Sequence, residues 1–273
     1  MNKHTRTTLF VICVFFFLLA APGLVLYSQG YRFDFEHKKL TRTGAFYCKV
    51  LPKGAEVYLG DKLKDTTSFF TNALLVENLL PGSYRIEIKK DGYHSWQKTV
   101  QISEREVTEA KHVILFPQEP NFQLLTENEA EINKILADLT EKENISEASA
   151  VLADLDFKDF QLSPDDKKIA YFTDHEIWVF FLESQYDLQR ERGEKIFLTR
   201  FSEKIDKAVW LNSYYLMFSV GDKIKVTEID NRDRLNIVEV EELKSPEIYW
   251  DKETETAYAL SKGKLYFTDR LLP

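Results

Sequence analysis

The residues whose types could do chemistry are scattered along the chain. No two histidines stand at the i,i+2 or i,i+4 spacing that places two metal ligands on one strand or helix face. The histidines are His4, His37, His94, His112 and His175. We therefore expect solvated or turn histidines and no metal site.

Two acidic pairs, Asp165-Asp166 and Glu241-Glu242, have the chemistry of calcium ligands or glycosidase carboxylates. Asp165-Asp166 falls in a predicted hairpin turn, where Asp is favoured for local hydrogen bonding, and no D-x-D-x-D-G loop surrounds it. The sequence also has no phosphate-binding glycine loop, G-x-S-x-G elbow, H-E-x-x-H helix or paired C-x-x-C motif. We predict a protein that is not an enzyme, and we assign no catalytic, cofactor-binding or metal-binding residue.

One segment has the composition of a membrane anchor. Residues 9–26 carry no charge and are rich in Leu, Val and Phe, a length that crosses a hydrocarbon core of about 30 Å at about 1.5 Å per residue. Lys3 and Arg6 precede the segment, so the positive-inside rule predicts a cytoplasmic tail (1–8), a single-pass signal-anchor helix (9–27) and an extracytoplasmic main body. The competing interpretation is a cleaved signal peptide, with a weak break at Ala20-Ala21-Pro22-Gly23.

Charge and cysteine content restrict the partners. The net charge is −8, and removing the two positive charges of Lys3 and Arg6 leaves −10 on the rest of the chain. Such a surface repels nucleic acid and anionic lipid, so we expect no nucleic-acid partner. Cys13 lies in the apolar segment and Cys48 outside it, so no disulfide is predicted, and Cys48 is expected to be a buried strand residue.

Residues 30–116 alternate between apolar and polar positions and are cut by turn residues, which predicts a small antiparallel β-sandwich. Three ordered pieces of this region resemble a PEGA domain, over about residues 44–116. The pieces are Pro52-Lys53-Gly54-Ala55 leading into Val57-Tyr58-Leu59, Leu79-Leu80-Pro81-Gly82-Ser83-Tyr84, and Lys90-Asp91-Gly92-Tyr93-His94-Ser95-Trp96. The resemblance implies a β-sandwich of surface and envelope proteins that has no known catalytic residues.

Residues 117–156 are predicted to form a helical bridge. From 127 to 154 the sequence has no Gly or Pro, and Ile132, Ile135, Leu136 and Leu139 keep helical spacing. The pattern covers too few heptads for a coiled coil.

The remainder, residues 157–273, contains three strand-rich segments that superpose in sequence. Leu162, Trp210 and Trp250 share one register at spacings that suit four-stranded units. The run from Leu162 to Tyr171 resembles the S-P-D-G-K-x-I-A-Y hairpin of TolB-like β-propellers, with Asp166 in place of Gly. About three blades fit, whereas closed propellers usually have at least four, so the ring is expected to be incomplete or covered by the bridge or a neighbouring chain.

The fold class is therefore predicted to be mainly β. We expect an N-terminal transmembrane helix, a small PEGA-like β-sandwich, a helical bridge and propeller-like β-blades. The predicted function is a membrane-anchored envelope protein that binds or scaffolds a protein or wall polysaccharide without a cofactor. The candidate contact residues, each also a candidate for core packing, are Tyr93, Trp96, Trp178, Trp210 and Trp250.

Two alternatives come from other classes. One is a structural surface-layer or secretion-apparatus subunit whose strand edges pair between chains, which predicts a homo-oligomer. The other is a hydrolase or lyase with its site in the propeller channel, which predicts a cluster of carboxylates there.

Overall fold

The chain begins with one long apolar helix. The computed structural model describes residues 3–139 and 157–273. Helix α1 (Lys3–Ser28) contains Pro22, and its span Thr5–Ser28 is long and apolar enough to cross a membrane, with none of it buried against the rest of the protein. A signal sequence has the same properties. The predicted apolar segment is therefore helical, and the helix starts earlier than the predicted residue 9.

A separate hairpin follows the helix. Strands β1 (Tyr31–Asp34) and β2 (Lys39–Arg42) pair with each other in antiparallel fashion and form their own two-stranded sheet. The sequence assigned this segment to the sandwich. The hairpin is not part of the sandwich, because its two strands pair with each other and not with a strand of either sandwich sheet.

Seven strands form the sandwich, in two sheets of order β6-β3-β9 and β5-β4-β7-β8. The strands are β3 (Gly44–Leu51), β4 (Glu56–Leu59), β5 (Lys62–Thr66), β6 (Ala73–Leu79), β7 (Gly82–Lys89), β8 (Trp96–Ile102) and β9 (Val107–Ile114). The prediction of a purely antiparallel sandwich is wrong, because β3 and β9 are parallel. Parallel neighbours need a long crossover, and here β4 to β8, most of them in the opposite sheet, supply it.

Alternation builds the sandwich core. Along β3 the inward positions include Phe46, Cys48 and Val50, which are fully buried. Burial raises the pKa of the Cys48 thiol to about 12, so this cysteine has little thiolate at neutral pH. Cys48 is thus the buried strand residue that the sequence predicted.

The segment predicted as a helical bridge starts with a strand. Strand β10 (Gln123–Thr126) precedes helix α2 (Glu129–Leu139), which Asn128 caps by accepting a hydrogen bond from the backbone N–H of Ala130. The prediction missed β10 because four residues give little periodicity. The predicted continuation of the helix beyond residue 139 falls on residues 140–156, outside the described ranges.

The rest of the chain, together with β10, forms three four-stranded antiparallel sheets. We call these sheets the three-sheet region. Their orders are β11-β12-β13-β14, β15-β16-β17-β18 and β19-β20-β21-β10. The strands are β11 (Asp159–Leu162), β12 (Lys168–Phe172), β13 (Glu176–Phe181), β14 (Lys195–Arg200), β15 (Ile205–Asn212), β16 (Tyr215–Val220), β17 (Lys223–Glu228), β18 (Ile237–Glu242), β19 (Glu247–Asp251), β20 (Thr256–Ser261) and β21 (Lys264–Thr268).

Strand β15 of the middle sheet lies next to one strand of each of the other two sheets. Leu162, Trp210 and Trp250 lie on β11, β15 and β19, so the shared register corresponds to equivalent strands. Strand β15 contacts both β11 and β19, whereas β11 and β19 share no extensive contact among the described elements, and α2 contacts β19. The three sheets therefore do not close into a ring, and whether they are propeller blades stays a prediction.

Apolar layers fill the spaces between the sheets. All six residues of β16 (Tyr215–Val220) are buried, because one face packs toward the β11–β14 sheet and the other toward the β19–β21 sheet. Trp210 joins the first layer and Trp250 the second. The linker residue Phe116 also joins the second layer, so the end of the sandwich is packed into the three-sheet region.

Candidate functional site

A buried lysine joins the sandwich to the three-sheet region. Lys98 lies on β8, and its Nζ is 2.8 Å from a carboxylate oxygen of Glu228 at the end of β17. The same Nζ donates to the backbone carbonyl oxygens of three residues in the loop that follows, at 2.6, 3.2 and 2.6 Å: Asp230, Arg232 and Arg234. We call Lys98, Glu228 and these carbonyl groups the Lys98 clamp.

Two further side chains complete the surroundings of Glu228. The indole Nε1 of Trp96 donates to its Oε2 at 2.9 Å, and Nδ2 of Asn236 donates to its Oε1 at 2.6 Å. Asn236 also exchanges hydrogen bonds with the backbone of Gln97, at 3.0 and 3.2 Å. A buried ion pair is stable only when its remaining hydrogen-bonding groups are satisfied, and this set satisfies both carboxylate oxygens.

Burial and neighbouring positive charge shift the carboxyl pKa values of the clamp in opposite directions. Burial raises the pKa of the Glu228 carboxyl, and the Lys98 ammonium limits the rise. At Asp230 burial acts in the same direction, but hydrogen bonds from Arg232 and the charge of Lys98 outweigh it, so the pKa of Asp230 is lowered. The guanidinium of Arg232 binds Asp230 at 2.7 Å and the carbonyl oxygen of Glu109 on β9 at 3.1 Å.

Next to the clamp, a histidine of the sandwich stacks on a tyrosine of the three-sheet region. The rings of His112 on β9 and Tyr214 are 3.5 Å apart at an angle of 9°. One carboxylate oxygen of Asp187 is 3.0 Å from both His112 Nε2 and the Tyr214 hydroxyl. Burial lowers the pKa of His112, with Asp187 opposing, and burial followed by the charge of Asp187 raises the pKa of Tyr214.

A second buried lysine supports Tyr214. The Nζ of Lys168 lies 5.5 Å from the centre of the Tyr214 ring and 2.7 Å from a carboxylate oxygen of Asp165. The Lys168 side chain is 0% exposed. A cation within about 6 Å of the centre of an aromatic ring is attracted to the face of that ring, so Lys168 helps to hold Tyr214 in place.

These residues border an open groove with a volume of about 430 Å³. Its walls come from β3 and β9 of the sandwich and from the turn between β15 and β16. The lining residues are Tyr47, Lys49, Leu51, Lys111, His112, Val113, Ile114, Asn212, Tyr214 and Tyr215. They include two lysines and a histidine but no acidic side chain, on a protein whose net charge is −8.

A second, much smaller cavity lies behind the groove. Its volume is about 30 Å³, which is enough for about one water molecule. Asp187, Glu228 and Asp230 are among its lining residues. Lys111, His112 and Arg232 line the same cavity, so acidic and basic groups meet there, whereas the charged side chains that line the groove are basic.

The aromatic residues predicted as contacts lie in three kinds of place: the core layers, the junction and the outer face of one sheet. Trp210 and Trp250 are buried in the layers between sheets, and Tyr93 packs on the sandwich core. Trp178 is half-buried on the outer face of the first sheet, 5.1 Å from the Phe197 ring. Trp96 is buried at the junction, so none of the five lines the groove.

The acidic pair Asp165-Asp166 occupies the turn that the sequence indicated. Asp165 accepts hydrogen bonds from the Ser163 hydroxyl at 2.5 Å and from Lys168, while Asp166 has a φ of 58°. Glu241-Glu242 lies at the end of β18, apart from this turn. Within residues 3–139 and 157–273, no group of three or more His, Cys, Asp or Glu side chains is arranged to hold a metal ion.

Sequence reasoning missed the groove. It treated His112 as a solvated or turn residue, but His112 lies on a strand, and its partner Asp187 is 75 residues away along the chain. A signal for the junction was present, since Lys98 occupies an inward position of β8 between Trp96 and Val100. A lysine at such a position needs a buried partner.

The chain shows weak similarity to several solved structures. Kluyveromyces lactis Hsv2 has a TM-score of 0.31 at 10% identity, covering 82% of this chain and 73% of that chain. The β-propeller domain of Myceliophteria thermophila Cps50 (Swd1) has a TM-score of 0.29 at 11% identity, covering 41% and 40%. The extracellular domain of BT4673 from B. thetaiotaomicron has a TM-score of 0.31 at 9% identity, and the match covers 89% of this chain and 31% of that chain. Likeness at these TM-scores does not define a shared fold.

The chain spans less than half the length of the Cps50 and BT4673 domains. No curated protein matches the sequence. One family does match, over β3 to β9 of the sandwich: residues 49–114 are similar to the PEGA domain, as their sequence motifs indicated.

Proposed function

We propose that this protein is a membrane-anchored, extracytoplasmic binding protein of the cell envelope, and not an enzyme. The groove between the sandwich and the three-sheet region is its ligand site. The observation that carries the proposal is the lining of this groove, where Lys49, Lys111 and His112 lie beside the rings of Tyr47 and Tyr214.

The chemistry of the groove favours a wall polysaccharide that carries acidic groups. Aromatic rings offer flat apolar surfaces to sugar rings, and lysines pair with carboxylate or phosphate groups. Binding sites commonly form at domain interfaces, where a few polar groups fix the orientation of the ligand. The Lys98 clamp and the stacked His112–Tyr214 pair support this interpretation, because they fix the two walls relative to each other before a ligand binds.

The proposed membrane anchoring and extracytoplasmic location depend on helix α1. The basic residues Lys3 and Arg6 in the first turns of the helix favour a cytoplasmic N-terminus, and the β-rich body then lies outside the membrane. A single-pass anchor would keep the groove within reach of the cell wall.

The test is a sedimentation assay with purified cell-wall polymer and the full chain in detergent. The charge-reversed variant Lys49→Glu with Lys111→Glu should lose most of its retention. Lys64→Glu is the matched control, because Lys64 is an exposed lysine on β5 of the opposite sheet. Equal retention of the groove variant and the control on the polymer would overturn the groove assignment. An envelope protein that the control binds and the groove variant does not bind would point to a protein ligand.

A structural, self-associating subunit is a second candidate, favoured by one observation. Phe70 is 97% exposed beside Phe69, in the loop between β5 and β6. Exposed apolar side chains of this kind mark contact surfaces. Light scattering at rising concentration tests this candidate, which predicts an oligomer that Phe70→Ser returns to a monomer.

A further inference from the structure

The β1–β2 hairpin is held directly against the end of helix α1. Strand β1 starts at Tyr31, shortly after the helix ends at Ser28. The guanidinium of Arg32 lies 3.6 Å from the centre of the Tyr27 ring and donates to the Tyr27 carbonyl oxygen at 2.9 Å. A cation at a helix C-terminus also interacts favourably with the helix dipole.

The hairpin is equally tied to the sandwich. Arg32 donates to the side chain of Asn78 at 2.7 Å, and the Thr41 hydroxyl donates to Glu104 at 2.6 Å. The carbonyl oxygen of Thr43, at the end of the hairpin, accepts a hydrogen bond from the backbone N–H of Arg105 in the turn between β8 and β9, at 3.1 Å. The hairpin therefore occupies a fixed place between the helix and the sandwich.

One face of the hairpin is apolar and exposed. Phe33 and Leu40 are directly paired across the strands, and each is 48% exposed. Phe35, two residues after Phe33 and therefore on the same side, is 82% exposed, with its ring edge-to-face to Phe33 at 5.0 Å. On the other face Asp34 is buried and accepts hydrogen bonds from the backbone of the turn.

The short distance from the helix end and the side-chain types of the hairpin both indicate what covers this face. Phe35 is seven residues beyond Ser28, so an extended chain carries it at most about 25 Å from the helix end. Lys38, in the turn beside the apolar face, is exposed, as is Glu36 in the same turn, and Lys39 is exposed on the opposite face, where it pairs with Asp34. An exposed aromatic face that is bordered by a lysine is typical of segments that lie at a membrane interface.

We propose that the β1–β2 hairpin docks on the membrane surface. Phe33, Phe35 and Leu40 lie at the boundary between headgroups and acyl chains, and Lys38 in the turn contacts lipid phosphates. The proposal rests on the membrane anchor proposed above. Docking would fix the height and tilt of the sandwich over the bilayer, because the hairpin, the helix end and the sandwich are joined by the hydrogen bonds described.

Nitroxide labels on the full chain in phosphatidylcholine–phosphatidylglycerol vesicles test the proposal. One label is placed on Cys13 of the natural sequence, and two others on Phe35→Cys and Phe70→Cys in a Cys13→Ser chain. Cys48 stays unlabelled because it is fully buried. The measurement compares collisions of each label with oxygen, which concentrates in the bilayer, and with a water-soluble nickel chelate.

Phe70 is the matched control because it is also a highly exposed phenylalanine in a loop. It lies near the Ala73 end of β6, whereas Asn78, which holds the hairpin, lies near the other end. At about 3.3 Å per residue the two ends are separated by about 20 Å.

We expect the label at 35 to show a several-fold higher ratio of oxygen to nickel collisions than the label at 70, with the label at 13 higher still. Equal ratios at 35 and 70, with the label at 13 inside the bilayer, would overturn the docking inference and leave the anchor standing. A water-exposed label at 13 would refute the anchor and the docking together.

Discussion

The ammonium nitrogen of Lys98 and the carboxylate of Glu228 form an ion pair 2.8 Å long in which the lysine side chain is 1% exposed and the glutamate 6%. The two residues come from different parts of the fold. Their pairing makes the sandwich and the three-sheet region depend on each other for stability.

Replacing Lys98 should destabilise the whole protein. Lys98→Met leaves Glu228 buried without its cation, and removing one partner of a buried pair costs about 3–5 kcal/mol of unfolding free energy. Urea denaturation of the full chain in detergent measures this change. Combining Lys98→Met with Glu228→Leu should recover part of the loss, because no uncompensated charge then remains.

The matched control for Lys98 is Arg85→Ala. Arg85 pairs with Asp61 at 3.2 Å, but both side chains are largely exposed, and exposed pairs contribute little. A loss in Lys98→Met no larger than that in Arg85→Ala would contradict the role assigned to the clamp.

Stability should fall as the pH drops below the ordinary histidine pKa of 6.5. Burial against Tyr214 lowers the pKa of His112 in the folded protein. The unfolded chain therefore takes up this proton first, and stability is lost between pH 6.5 and the lower pKa of the folded state. The effect is modest because His112 is still partly exposed.

His112→Phe tests this assignment, since it keeps an aromatic ring on Tyr214 but cannot be protonated. Unfolding free energies measured between pH 7.5 and 5, values chosen to bracket the ordinary histidine pKa, should fall less steeply in the variant than in the natural protein. Parallel curves for the two chains would show that His112 does not contribute.

Substitutions at Asp166 should depend on backbone conformation. Its φ of 58° is in the left-handed region, which glycine and aspartate tolerate and β-branched residues do not. Asp166→Gly should change the unfolding free energy little, whereas Asp166→Val should cost about 1–2 kcal/mol. Lys167→Val, in the same turn, is the control. Equal effects of the two valine substitutions would refute a conformational cause.

A disulfide should form between β10 and β21. Leu124 and Tyr266 are directly paired, and paired antiparallel residues are about 4.5–5.5 Å apart at Cα, within the range for a disulfide. Leu124→Cys with Tyr266→Cys, in a Cys13→Ser chain, should oxidise and stabilise the protein by about 2–4 kcal/mol. Thermal unfolding with and without reductant measures the gain.

The control for this disulfide is Leu125→Cys with Tyr266→Cys. Leu125 lies at the irregularity between Leu124 and Thr126 and has no direct partner on β21. Equal oxidation of both pairs would contradict the register of β10.

The features predicted from sequence were those with a local signal. The apolar helix, the sandwich strands and the equivalent positions of Leu162, Trp210 and Trp250 all depend on composition or periodicity within short windows. The turn at Asp165 and Asp166 was equally local, because its hydrogen bonds connect Asp165 with Ser163 and Lys168.

The features that were missed depend on contacts distant in sequence. Strand β10 is a strand only because β21 pairs with it, 140 or so residues later. The parallel pairing of β3 with β9 and the stacking of His112 on Tyr214 also join distant segments. No window of the sequence contains both partners, so the groove between them had no local signal.

The pairing of β10 with β21 has a consequence for biogenesis. During synthesis, β10 emerges first and has no partner until residues 264–268 have followed it. Its unpaired edge is exposed throughout that interval, and such edges invite incorrect pairing. The strands of the sandwich all precede residue 115 and so have their partners earlier, which makes the three-sheet region the part of the protein for which we expect a chaperone to matter most.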